Sequence, residues 1–324
     1  MIKQLLAAAL LLSIIVGCQP NTDTSRIIID EKNILRNVEL ISHDSLEGRL
    51  FGTQGHKKAQ QFIANYFNSL GLDPAFNTGY IQPFSITLSG DKRNWLFPVS
   101  DYKDSSVIIP DTTLKGGNVI AIKKGLTDKV LLITAHYDHL GMRNGEIYNG
   151  ADDNASGVAA LLAIAEYFHD KSLNHTLIFS AIDSEEIDLE GSYYLSAHFP
   201  VDINSVVLNI NMDMISKNDS MELYAAGTYH YPHLKPTLNQ IKSPINLKYG
   251  HDDPGNTKQL DWTDASDHAP FHEKGIPFIY FAVEDHPNYH QPSDTFDSID
   301  HDFYIEVVKL IIQAVERFDV ELSV

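Results

Sequence analysis

Along the chain, short and nearly unbroken apolar runs alternate with segments whose apolar residues recur every three or four positions. The runs GNVIAI, VLLITAH, TLIFSAI, SVVLNINMD, MELYAA, INLKY and IPFIYFA lack the polar alternation of a one-faced sheet, which predicts strands that are mostly covered on both sides. Helical spacing predicts helices over 156–168 and near 191–197, 233–241 and 269–274. A last helix, over about 300–318, places Val307, Leu310, Ile311, Ala314 and Val315 on one face. Before the sheet, Ile34, Leu35, Val38 and Ile41 predict a helix over 31–42 with Asp30 as N-cap. Phe62, Ile63, Tyr66, Phe67 and Leu70 predict a second, from about His56 to Leu70, closed by Gly71. Residues 80–118 read as short edge strands and loops, with SGDKRN as a turn cluster. Strands alternating with helices imply an α/β fold: a three-layer sandwich around a mixed, mostly parallel central sheet.

Composition narrows this picture. At 324 residues and 43% hydrophobic, the chain can build one large α/β domain. A formal net charge of −19 argues against nucleic acid and anionic membrane surfaces as partners. The first residues, MIKQLLAAALLLSIIVGCQP, combine Lys3, an apolar stretch too short to span a bilayer comfortably, and a Gly17–Cys18 ending. That pattern resembles a lipoprotein signal over 1–17, with lipid on Cys18 and a polar tether over 18–30 before the folded domain at 31–324. Cys18 is the only cysteine, so no intramolecular disulfide competes for it. The expected location is the bacterial cell envelope, lipid-anchored on the exported side, with membrane contact only through that lipid.

Ligand-type side chains punctuate the ends of the apolar runs. They are His136, Asp153 within GADDNASG, the pair Glu185–Glu186, Asp213, and His290 within YHQPSDT. In open α/β sheets, active sites gather outside the carboxyl ends of strands. Carboxylates and imidazoles in this number suit two metal ions, and zinc accepts both donor types. Asp138 lies two residues beyond His136, on the same strand face, where it can orient the imidazole or hydrogen-bond nearby; His139 is a further ligand-type residue, although the same alternation turns it to the opposite face. GADDNASG fits the opening of a calcium loop, but the twelfth position is Ala163 rather than glutamate, which argues against calcium. Ser266, Asp267 and His268 are consecutive and point apart, which argues against a serine-type triad. In the SEE motif one carboxylate can bind metal while its neighbour remains free as a base.

Taken together, HYDH, GADDNASG, SEE followed by GSYYL, NMD, SDHAPF and YHQPSDT resemble the co-catalytic zinc aminopeptidases of metallopeptidase family twenty-eight, clan MH. The stretch LEGRLFGTQGHKKAQQFI is similar to the segment that precedes the family's catalytic sheet, so the resemblance covers roughly residues 35–318. It implies two zinc ions, or other divalent metals, with His136 and Asp213 on one, Glu186 and His290 on the other, and Asp153 bridging through a turn whose bond to Asn154 is cis. It further implies Glu185 as general base, Asp138 as partner of His136, and Tyr289 as a phenol stabilising the oxyanion. The implied reaction is hydrolysis of the N-terminal residue of peptides, with the substrate's free α-amine near Glu185 and Asp213.

Three alternatives share the scaffold. A related peptidase family inserts a dimerisation domain before the final histidine, but here only 290 − 213 = 77 positions separate Asp213 from His290. Glutaminyl cyclases usually hold one zinc and transfer an acyl group. A non-catalytic peptide-binding lipoprotein would be expected to have lost ligands.

Overall fold

The computed structural model describes residues 27–89 and 111–323. The proposed signal, Cys18, most of the tether and nearly all of SGDKRN lie outside those residues. Helix α1 (Glu31–Ile41) starts where Asp30 accepts the Asn33 N–H at 3.0 Å. Helix α2 (Gln54–Ser69) begins two residues before the expected start, because the Thr53 hydroxyl accepts the His56 N–H. It closes at Gly71, whose φ of 69° is the left-handed conformation of a helix end.

Strands β1 (Asp73–Pro74), β2 (Ile81–Leu88), β3 (Thr112–Lys123) and β4 (Val130–His136) follow, then a small hairpin of β5 (Gly141–Arg143) and β6 (Glu146–Tyr148). Helix α3 (Gly157–Phe168), β7 (Thr176–Ile182), α4 (Glu190–Ala197), β8 (Val206–Met212) and β9 (Glu222–Ala226) come next. The chain ends with α5 (Lys235–Leu238), β10 (Asn246–Lys248), α6 (Ala269–His272), β11 (Phe278–Ala282) and α7 (His301–Glu321). Strand β3 outruns the GNVIAI motif because β2 pairs along its first half, from Ile81 opposite Val119 to Leu88 opposite Thr112. The helix expected over 233–241 is only the turn Pro232–Leu234 and the short α5. Pro232 and Pro236 can open helical turns, whereas Pro244 turns the chain out towards β10.

The main sheet runs β1-β3-β7-β4-β8-β11-β9-β10, with β2 paired to β3. Its central four strands, β7, β4, β8 and β11, are mutually parallel. Strands β3 and β9 flank them in antiparallel pairing. Alternation along β4 creates the three layers: Leu131, Ile133 and Ala135 enter the core shared with α1, α2, α3 and α7. Val130 and Leu132 face the other way, against Leu195 of α4 and Phe271 of α6. Helix α3 is buried on nearly every side, as its uniform apolarity requires. Full burial of Leu161 or Leu162 there contributes about 1.5–3 kcal/mol each. Because the central strands are parallel, their carboxyl ends open at a single edge, and the site is built there.

Candidate metal centre

His136 is the last residue of β4, and Asp213 immediately follows β8. Asp153 lies in the turn that enters α3, Glu185 and Glu186 follow β7, and His290 lies in the loop after β11. The structure brings all six together. His136 Nε2 is 3.1 Å from Asp213 Oδ1 and 3.3 Å from Asp153 Oδ1. His290 Nε2 is 3.1 Å from Asp153 Oδ2 and 3.5 Å from Glu186 Oε2. Two donors about 2.0–2.1 Å from one tetrahedral zinc stand about 3.3 Å apart. The four separations match that spacing, and Asp153 offers one oxygen to each pair. The donor set therefore fits two cations bridged by Asp153.

The residues around the ligands hold them at this spacing. Asp294 accepts the N–H groups of Asp152 and Asp153 at 2.9 and 3.1 Å, tying the bridging turn to the His290 loop. Asn154, joined to Asp153 by a cis peptide bond, donates to the Met212 carbonyl at 2.9 Å. The Ser266 hydroxyl donates to Asp213 Oδ2 at 2.8 Å. Ser184, Met214 and His290 all have positive φ, a strained conformation for side-chain-bearing residues that clusters at functional sites.

Asp138 departs from the expected arrangement. Its carboxylate is 3.8 Å from His136 Nδ1, which instead meets the Asp138 main-chain oxygen at 3.2 Å. The carboxylate accepts the N–H groups of Glu185 and Glu186 at 3.0 and 3.3 Å, so it positions the glutamate pair. The chain leaves the strand after His136, and pleat alternation no longer governs residue 138.

The same departure redirects His139, which does not turn away. Its Nδ1 lies 2.7 Å from Glu186 Oε1 and 3.7 Å from Asp153 Oδ2. By proximity, His139, Asp153 and Glu186 form a candidate ligand group, as do His136, Asp153 and Asp213. A 2.7 Å separation is shorter than two ligands of one tetrahedral ion would show and matches a charge-assisted hydrogen bond. His139 therefore orients Glu186, leaving Oε2 for the metal. The HYDH motif held the signal, but only the bend after β4 shows where the second histidine goes. Asp152 also lies apart from the ligands: it accepts from Ser216 and pairs with His286 Nε2 at 2.8 Å. His268 meets the Trp262 carbonyl and Ser266 meets Asp213, so SDH forms no triad.

Electrostatics separate the two glutamates. Burial above all raises the Glu185 carboxyl well beyond the usual range; Asp213 and Glu186 add to this while His136 opposes it. For Glu186, burial and Asp153 push upward, but His139 and His290 outweigh them and hold it at about 2. One glutamate is poised to take a proton and its neighbour is a fixed anion, the separation of roles that adjacent acids need. Burial, with Asp153 and Asp213, raises the Tyr289 phenol, keeping it a donor at neutral pH; its ring stacks on His290 with centroids 4.0 Å apart. Beside these groups lies a cleft of about 120 Å³, with Met214, Trp262, Ala265, Tyr280 and Val283 in its wall. A larger groove of about 670 Å³ lies between Ile28–Ile34 and Tyr167–Lys171. Neither candidate ligand group lies there.

A parallel-centred α/β sheet with a two-cation carboxylate–imidazole centre at its strand ends defines a metal-dependent hydrolase. The chain belongs to peptidase family M28, whose profile matches residues 118–315. A probable leucine aminopeptidase of Trichophyton verrucosum is 29% identical over 88% of this chain and 72% of its own length. Two further curated relatives are matched over 44% and 56% of their own lengths. Among solved structures, an aminopeptidase from Aneurinibacillus sp. strain AM-1 superposes with a TM-score of 0.69 at 19% identity, covering 90% of this chain and 94% of that one. A Fimbriiglobus ruber glutaminyl cyclase gives 0.66 at 18%, covering 90% and 96%. These structural likenesses establish the fold.

Proposed function

We propose that the chain is a metal-dependent aminopeptidase that removes the N-terminal residue of peptides bearing a free α-amine. The observation that carries this reading is the set of four donor separations between 3.1 and 3.5 Å around Asp153, with Glu185 in the same cleft but outside the ligand pairs. Two divalent cations, zinc by donor type, would be held by His136, Asp153, Asp213, Glu186 and His290 and would supply Lewis acidity and a readily deprotonated water. Glu185 would act as the general base, taking a proton from the attacking water and giving it to the departing amine. The Tyr289 hydroxyl donates to the oxygen that gains charge on the scissile carbonyl. Asp138, holding the Glu185 and Glu186 amides, keeps the base aligned. A cleft rich in carboxylates favours the substrate's ammonium group, and its small apolar wall suits one side chain.

A panel of chromogenic aminoacyl substrates, N-acetylated counterparts and an N-terminal glutamine peptide tests the proposal. Hydrolysis of the free-amine substrates alone supports it; cyclisation of the glutamine peptide without hydrolysis would favour the glutaminyl cyclase reading, which the fold likeness keeps in view. We also propose envelope anchoring through lipid on Cys18, supported by the IVGC ending of the apolar leader.

A further inference from the structure

We propose that Arg49 is a positioning residue that sets the spacing between the His136 and Asp153 segments of the metal centre. The inference rests on the two-cation reading above. Arg49 is fully buried, and its guanidinium spans three stretches of main chain. Nε donates to the Tyr137 carbonyl at 2.8 Å, Nη1 to the carbonyls of Ile41 and Asn149 at 2.7 and 2.6 Å, and Nη2 to that of Gly150 at 3.0 Å. Tyr137 stands between His136 and Asp138, and Gly150 stands three residues before Asp153. One rigid fork thus grips the strand end that presents one ligand and the turn that presents the bridging ligand.

The segment that carries Arg49 is shaped for this task. Glu47, Gly48 and Arg49 have φ values of 51°, 66° and 53°, three left-handed residues in succession. A Cβ on Gly48 would strike the carbonyls of Tyr148 and Gly141. The Arg49 carbonyl also accepts the His139 N–H at 3.4 Å. All four guanidinium bonds go to main-chain carbonyls and, among the described residues, none to a carboxylate. Nevertheless Asp153, Asp294, Asp138 and Glu186 lie close enough to sustain its charge; burial lowers its pKa to about 10, leaving it protonated at neutral pH. The cation thereby also offsets the excess of carboxylates around the centre.

Arg49→Lys keeps the charge but cannot reproduce a planar fork spanning four acceptors. Zinc affinity, measured by chelator competition on folded protein, should fall about 10–100-fold, the usual effect of losing an outer support of a metal site. The gain in melting temperature on adding zinc should shrink in parallel. A variant that folds, melts lower with and without zinc by equal amounts, and binds zinc as wild type does would overturn the inference. If wild type itself takes up no divalent cation, the reading of the centre falls and this inference falls with it. Should Arg49→Lys not fold, arginine-labelled wild-type protein decides by ¹⁵N NMR. A slowly exchanging Arg49 Nε–H that survives zinc removal supports a preformed clamp, and exchange at the rate of an exposed arginine in the zinc-free protein refutes it.

Discussion

His139 and His290 divide the carboxylate of Glu186 between them: Nδ1 of His139 lies 2.7 Å from Oε1, and Nε2 of His290 lies 3.5 Å from Oε2. An imidazole holding the outer oxygen fixes the direction of the inner one. His139→Leu should therefore lower zinc affinity about 10–100-fold, while His139→Gln, which retains a donor, should lose less. Zinc content and affinity measured on both variants check this; a His139→Leu protein that loads like wild type would remove His139 from the centre.

The adjacent glutamates should fail for different reasons. Glu185→Gln leaves the ligands intact but removes the proton acceptor, so kcat should drop by at least about 10²-fold with zinc content near wild type. Glu186→Gln should lose zinc, because a neutral amide is a poor substitute for a carboxylate ligand. Rates and metal stoichiometry on the same samples separate the two, and a reversed pattern would exchange the roles.

Metal uptake should release protons. Burial opposes charge on both ligand imidazoles, yet Asp213 and Glu185 raise His136 well above its usual value, and Asp153 and Glu186 raise His290 to about 10. Below those values each imidazole carries a proton that a cation must displace, so zinc affinity should rise with pH from the acid side towards about pH 10. Calorimetric titration at pH 7 in buffers of different ionisation enthalpy should report at least one proton released per protein. A buffer-independent heat would contradict it.

The layers and the parallel centre are legible in the sequence because buried strands declare themselves as unbroken apolar runs. The candidate ligand segments are legible too, because ligand-type residues at the ends of such runs stand out against them. The orientations that periodicity leaves open depend on bends. His139 follows the point where β4 stops, and Asp138 turns its carboxylate to the glutamate amides for the same reason. Arg49 carries no sequence signal as a positioning group, since its partners are main-chain carbonyls, which no side-chain pattern marks. The helix near 233–241 is shorter than its apolar spacing predicts, because that spacing outlasts the prolines that punctuate it.

Acid should destabilise the fold partly through His268. Buried between the rings of Phe278 and Tyr280, its imidazole is lowered to about 3, chiefly by burial. The folded state therefore keeps it neutral while the unfolded chain takes up a proton near the ordinary value, so this contribution is full above about pH 6.5 and is lost as pH falls towards 3. Its loss should be on the order of 1 kcal/mol per pH unit between pH 6 and 4. His268→Gln keeps a donor for the Trp262 carbonyl, and denaturant titrations across that window should show a flatter pH dependence. An unchanged slope would assign acid sensitivity to other groups.

Cys18→Ser should shift the protein from the membrane fraction to the soluble one without changing the rate of the folded domain, if the leader is processed as a lipoprotein signal. Persistent detergent-sensitive membrane association of the variant would defeat the anchoring proposal.

The proposed ligands come from five separate stretches of chain, the outermost 290 − 136 = 154 positions apart. No short fragment contains the centre, so it exists only after β4, β7, β8 and β11 have docked in register. An ion captured there would act as a late cross-link that closes long loops, and its binding energy would be added to that of the finished fold. Capture thus serves as a test of completion: a chain with one strand end out of place holds its ion weakly, and its unfastened rim loops remain open to proteolysis. Scarcity of metal would accordingly shorten the lifetime of the protein as well as slow its chemistry.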